Sequence, residues 1–196
     1  VNYEFNWELV LTGEYGQWIV EGLIKTLQIS SVSIVFAMLL GTLVAVFRMT
    51  HFKPLQWIAL AFTEFFRNTP LLVQIFFWYF GSYSILPNVV NEWLYDHNFE
   101  FASGVIALSV YTSAFIAEEI RCGVNSIPKT QLEASRACGL SFIQAMTYVI
   151  LPQAFRIIIP PLISQFLNLI KNSSLVMTIG VMELTYMARQ IESYTF

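Results

Sequence analysis

Three sets of residues in this 196-residue chain have types and spacings that could do chemistry. Glu118 and Arg121 stand three apart, so on a helix they share a face and can form an ion pair. That pair is read as structural. Gln165, Asn168 and Asn172 also share one helical face, with Lys171 beside them. A polar stripe on an apolar helix belongs against a cavity, and an ammonium there suits an anionic solute. The alternative is that Lys171 snorkels to a membrane interface. Glu133 stands among small residues, Ala134, Ser135 and Ala137, so a second protein could approach it closely. The alternative is a solvated loop in which Glu133 pairs with Arg136 for only ~0.2–0.5 kcal/mol. None of the three sets performs covalent chemistry. G-x-S-x-G, H-E-x-x-H and G-x-x-x-x-G-K-[ST] are all missing from the sequence. Cys122, Cys138, His51 and His97 have no metal-ligand spacing. No catalytic residue and no metal site are therefore expected, and without a phosphate-binding loop the chain cannot hydrolyse ATP itself.

These residues must be positioned by elements suited to lipid. The chain is 56% hydrophobic and 12% charged, about half the charge of an average soluble domain. Its net charge of −3 has the wrong sign for a nucleic-acid binder. The charges divide the sequence into apolar stretches. Four spans are expected, at about 18–47, 55–80, 101–121 and 152–171, with a loop at about 122–151. The uncharged run Thr26 to Phe47 alone would rise about 33 Å as a helix. Val176 to Met182 is too short to span and reads as re-entrant or interfacial. Arg67, before Thr69-Pro70, sits where a helix break is expected. Gly41 and Gly81 suit close helix packing.

Seven of the ten basic residues (Arg48, Lys53, Arg67, Arg121, Lys129, Arg136, Arg156) fall on one side of this topology, which is read as cytoplasmic. Lys25, Lys171 and Arg189 fall on the other side. Nine acidic residues join them there: Glu4, Glu8, Glu14, Glu21, Glu92, Asp96, Glu100, Glu183 and Glu192. The N-terminus is thus expected outside. Trp18, Trp78, Tyr79, Trp93 and Tyr95 would form an outer aromatic belt. Both cysteines fall on the cytoplasmic side, where a structural disulfide is not expected.

The loop has its own punctuation. Ser126-Ile127-Pro128 opens a short helix, Pro128 to Cys138. Gly139 then supplies a left-handed C-terminal cap. Ser141 to Gln144 fits a capping box that opens a second helix. Leu151-Pro152 ends or kinks that helix. The expected shape is an elbow of two helices at the inner membrane face.

Glu133-Ala134-Ser135, three residues, Gly139, nine residues and Val149-Ile150-Leu151-Pro152 resemble the EAA loop of bacterial ABC-importer permeases. Ser135 and Val149 depart conservatively from that pattern. Arg67-Asn68-Thr69-Pro70-Leu71-Leu72-Val73-Gln74, Val124 to Pro128 and Asn168 to Leu175 resemble the polar-amino-acid branch. Within it, Phe66-Arg67-Asn68-Thr69-Pro70, the long outer loop with Trp93 and Lys171-Asn172-Ser173 look most like glutamate/aspartate permeases. Glu118 and Arg121 match family positions, whereas Glu119 does not.

The resemblance implies an all-α, polytopic membrane protein of the type I importer-permease kind. It implies one more span after the outer segment, and a chain running from Val1 to Phe196 is read as lacking that helix. It implies coupling to an ATPase through Glu133, Ala134, Ser135, Gly139, Leu151 and Pro152. The implied partners are an ABC ATPase dimer carrying ATP and Mg, a second and related permease subunit, a periplasmic amino-acid-binding protein and membrane lipid. This chain itself would bind no cofactor and no nucleic acid. It would sit in the bacterial inner membrane and help to form a path for glutamate or aspartate.

Two other classes compete. An autonomous secondary transporter would usually carry a protonatable residue or ion site at mid-membrane. No clear candidate stands at the centre of any expected span. A membrane enzyme would need one of the missing motifs.

Overall fold

The computed structural model describes residues 13–85, 87, 89–92 and 98–195. Trp93 and Tyr95 of the expected belt lie outside the described residues, as do His97 and the acidic Glu4, Glu8 and Asp96. Strong helix formers and long apolar runs give helices throughout. They are α1 (Gly13–Met49), α2 (Lys53–Asn68), α3 (Leu71–Ile85), α4 (Phe99–Asn125), α5 (Lys129–Ala137) and the single turn α6 (Phe142–Ala145). A π-helical turn (Met146–Ile150) leads into α7 (Leu151–Asn172). A 3₁₀ segment (Ser173–Ile179) and α8 (Leu184–Thr195) follow. The all-α class expected from the sequence is the class observed.

Three helical stretches are long and apolar enough to cross a membrane: Gly13–Met49, Phe99–Asn125 and Phe142–Ile179. The stretch 55–80 is not one continuous helix. It breaks at Thr69, whose backbone is extended (φ −106°, ψ 140°). The cause is local: the ring of Pro70 disfavours a helical conformation in the residue before it. α2 ends there, and Leu71–Gly81 continues as a shorter apolar helix. The segment around Val176 to Met182 begins as the 3₁₀ continuation of α7. It ends at Gly180, whose φ is +90°.

The chain forms two compact units. The first comprises Val1–Ser33, Leu71–Leu108 and Leu169–Phe196; the second comprises Ile34–Pro70 and Ser109–Asn168. In the first unit, Gly104 lets α4 approach Ile29 and Val176 closely. A Cβ there would lie 3.0 Å from Ile29 Cδ1 and 3.2 Å from Val176 Cγ1. Thr26 Oγ1 accepts a hydrogen bond from the Leu184 amide at 3.1 Å, tying α1 to the start of α8. The buried Glu183 caps α8 by accepting from the Tyr186 amide at 2.8 Å. Of the belt residues, Trp18 packs edge-on against Tyr194 and Tyr79 packs against Phe99.

In the second unit, Val44, Ala45, Ala59 and Ala117 form a core flanked by Leu40, Phe47, Met49, Phe62 and Ile120. Small residues dominate it, so α1, α2 and α4 approach closely. At Gly41 a Cβ would stand 2.8 Å from Ile116 Cγ2, which makes it a packing glycine as expected. A Cβ at Gly81 would meet only Phe77 of its own helix. The outward face of α2 carries Trp57, Ile58 and Phe65, each more than 60% exposed. An outer face that apolar suits lipid rather than water.

Candidate functional site

The elbow is built from local backbone chemistry. Pro128 stands one position before α5, in an extended conformation (φ −57°, ψ 136°), and its carbonyl accepts from the Gln131 amide. α5 ends in a Schellman motif. The Leu140 amide bonds to Ser135 O at 3.2 Å and the Gly139 amide to Arg136 O at 3.0 Å. Closing those two bonds takes the chain through φ +87° at Gly139, a conformation that costs a residue with a Cβ about 1–2 kcal/mol. Ser141 then caps the next turn reciprocally. Its Oγ accepts from the Gln144 amide, and Gln144 Oε1 accepts from the Ser141 amide at 2.8 Å.

The helix is not ended at Leu151-Pro152. The backbone instead widens into a π turn, with the Leu151 amide bonding to Met146 O, five residues back. Proline has no amide hydrogen and its ring crowds the preceding turn, so the wider turn accommodates it. Gln153 Nε2 donates to Val149 O at 2.8 Å, satisfying a carbonyl in the loosened turn.

On α5, Glu133 and Ala134 are exposed and Ser135 is buried, its hydroxyl donating to Leu132 O. Among the described residues, no ion pair includes Glu133 or Arg136. The Glu133 carboxylate is therefore presented outward. Phe142, Ile143 and Tyr148 are 58%, 76% and 71% exposed, so the following turns offer apolar surface beside it. An exposed carboxylate, small neighbours and three exposed large side chains make a surface suited to a protein partner.

A second polar cluster lies in the same unit. Arg121 Nε donates to Glu118 Oε2 at 3.0 Å, and its Nη2 donates to Glu118 Oε1. Arg48 Nη1 lies 3.2 Å from Glu118 Oε2 and also donates to Thr63 Oγ1. Gln56 Nε2 donates to Arg48 O. One carboxylate thus holds two guanidiniums and joins α1, α2 and α4. Sequence spacing pointed to Arg121 but not to Arg48, which is 70 positions from Glu118.

The polar residues on α7 have separate environments. Gln165 is half-buried, and its Nε2 donates to Glu119 Oε1 of α4 at 3.3 Å. Asn168 and Lys171 are exposed, and Asn172 is half-buried. Glu119 is a contact that sequence reasoning did not single out, because nothing in the spacing links it to a residue 46 positions away.

Residues 34–196 match the family described as binding-protein-dependent transport system inner membrane component. The chain belongs to this family. A probable glutamine ABC transporter permease protein of Bacillus subtilis, GlnM, is 47% identical over 89% of this chain and 77% of its own length. The glutamate/aspartate import permease protein GltJ of Escherichia coli is 32% identical over 100% of this chain and 83% of its own. A crystal structure of an amino acid ABC transporter with histidines superposes with a TM-score of 0.84 at 33% identity, covering 98% of this chain and 85% of that one. The inward-facing MetNI methionine ABC transporter shares the fold at a TM-score of 0.66. The resemblance to permeases of polar-amino-acid ABC importers and the type I importer fold both stand. As a family member with apolar helices of spanning length, the chain is an integral membrane protein of the inner membrane.

Proposed function

We propose that this permease is the membrane-spanning subunit of an ATP-driven amino-acid importer, coupled through its elbow to a cytoplasmic ATPase dimer that binds ATP and Mg. The observation that carries this reading is the elbow itself. Gly139 sets a fixed turn between two capped helices, and Glu133 with Ala134 is presented on the outside of α5. A rigid element with an exposed contact face transmits displacement, whereas a mobile loop would absorb it. Ser135 would hold α5 in place from its buried side. Leu151 and Pro152 would join the elbow to the span through the π turn. A second permease subunit, a periplasmic amino-acid-binding protein and lipid complete the proposed assembly. The basic side of the chain would be cytoplasmic and the N-terminus periplasmic.

The proposed solute is glutamate or aspartate, with Gln165, Asn168, Lys171 and Asn172 along the path. Lys171 is the cation suited to a substrate carboxylate. Glutamine is a second reading, favoured by the 47% identity to the GlnM protein. The experiment is amino-acid-dependent ATP hydrolysis and uptake by the complex reconstituted with its ATPase and binding protein. Stimulation by glutamate and aspartate supports the first reading, and stimulation by glutamine alone selects the second. Replacing Gly139 with Val should leave ATP hydrolysis running while uptake drops about tenfold or more, as a misplaced contact does. Uptake by the chain alone, without ATP, would replace both readings with a secondary transporter.

A further inference from the structure

We infer that Glu119 determines specificity in the permease path by receiving the α-ammonium group of the transported amino acid; this rests on the importer reading above. An ionised side chain within a span is costly, ~2.5–3.5 kcal/mol by insertion scales, and generally has an internal partner or a role. The neighbouring Glu118 is occupied by Arg48 and Arg121. Glu119 projects about 100° further round α4. It is half-buried and, among the described residues, takes one hydrogen bond, from the neutral amide of Gln165. Among the described residues, no Lys or Arg pairs with it. A carboxylate has about four acceptor positions, so one neutral donor leaves most of its capacity open.

The same face of α4 continues through Phe115 and Tyr111, one and two turns back. Both are half-buried, and their rings lie 5.0 Å apart. Between them and Glu119, residues 112–114, 116 and 117 are all buried. From 111 to 117, Tyr111 and Phe115 are therefore the accessible positions, on the face that leads to Glu119. The Arg67 guanidinium sits over Phe115, 5.4 Å from the ring centre, and is likewise in no ion pair among the described residues. A carboxylate and a guanidinium, each without an opposite charge of its own, flank an aromatic surface within one unit. That arrangement is complementary to a zwitterion: ammonium on Glu119, carboxylate on Arg67, side chain along the rings. An acid that lacks the amine would instead bring its charge against Glu119.

The test uses the purified complex of permease and ATPase, without binding protein. Radiolabelled glutamate and glutamine are bound, then displaced by the unlabelled amino acid or by its deaminated 2-oxo analogue. In the wild type the amino acid should displace at least about tenfold better than the analogue, the worth of a charge-assisted hydrogen bond. In Glu119→Gln that preference should shrink to within about threefold, and direct binding should weaken about tenfold. Glu119→Asp keeps the charge and should keep the preference. An unchanged preference in Glu119→Gln, or equal weakening for both ligands, would overturn the proposal, since a merely structural carboxylate predicts one or the other. Should Glu119→Gln fail to assemble, the wild-type competition decides, because equal displacement by amine and analogue also overturns it. A wild-type complex that shows no binding here, and no amino-acid-stimulated ATPase once the binding protein is added, would sink the importer reading itself.

Discussion

The two compact units handle charge in opposite ways. The stretches of the second unit contain seven basic and four acidic residues, a net of +3. Those of the first contain three basic and nine acidic residues, a net of −6. In the second unit, Glu118 is shared by two guanidiniums whose members are only 11–28% exposed. In the first, the ion pair among the described residues is Arg189 with Glu192, 3.8 Å apart and more than 60% exposed on both sides. Each unit also has a left-handed glycine without steric conflict. A Cβ at Gly139 would meet nothing within 4 Å, and one at Gly180 would meet only Glu100 Cγ at 3.9 Å. The lesson is a division of labour. The basic unit ties three of its charges, Arg48, Glu118 and Arg121, into a shared network, while the ion pair of the acidic unit is solvent-exposed and its buried Glu183 serves as a helix cap.

That contrast can be broken by substitution. The largest effect is expected from Glu118→Ala, which leaves Arg48 and Arg121 without their shared acceptor. It should cost about 2–3 kcal/mol, between the values for surface and fully buried pairs. The check is a thermal midpoint of the detergent-purified protein, and a shift no larger than that of Glu192→Ala would erase the distinction between the units.

Next comes Gly123→Ala, where the new Cβ would stand 2.1 Å from Ile158 Cγ1. Overpacking of this kind costs ~1–3 kcal/mol. Shortening the obstacle with Ile158→Ala in the same chain should return part of the loss. Gly22→Ala in the acidic unit would instead meet the Leu184 backbone at 2.9 Å, which no side-chain change relieves. A double variant as unstable as Gly123→Ala would mean that the α4–α7 contact is not what resists the methyl group.

Smaller, but sharper, is the matched pair Gly139→Ala and Gly180→Ala. Each adds about 1–2 kcal/mol of backbone strain. Only the change at Gly139 should raise the ATP hydrolysed per amino acid imported by the reconstituted complex. Equal ratios for the two variants would remove the functional difference between the turns. Smallest is Glu192→Gln, expected to change stability by less than ~0.5 kcal/mol and to do so only at low salt. A larger loss would show that the acidic unit depends on its pair too.

Much of the elbow was legible because capping is a local matter. The requirement for glycine after Cys138 and the reciprocal Ser141–Gln144 bonds depend on residues within one or two turns. The break before Pro70 was legible as a break, but its consequence for the stretch 55–80 was not. Hydropathy averages over a window and passes smoothly across one extended residue. The π turn was hidden for a related reason. Leu151-Pro152 announces a backbone problem, and whether a helix stops, bends or widens there depends on what can bond the released carbonyls, here Gln153.

By itself, then, the sequence determined the helical class, the partition of charge along the chain, the cap chemistry and the family resemblance. All of these are set by composition and by neighbours within a few residues. Only the tertiary structure decided which polar groups meet across helices. Arg48 joins Glu118, and Gln165 finds Glu119, through helix packing that brings residues 70 and 46 positions apart within hydrogen-bond reach. Helical periodicity fixes which face a side chain occupies, but not which other helix that face will touch.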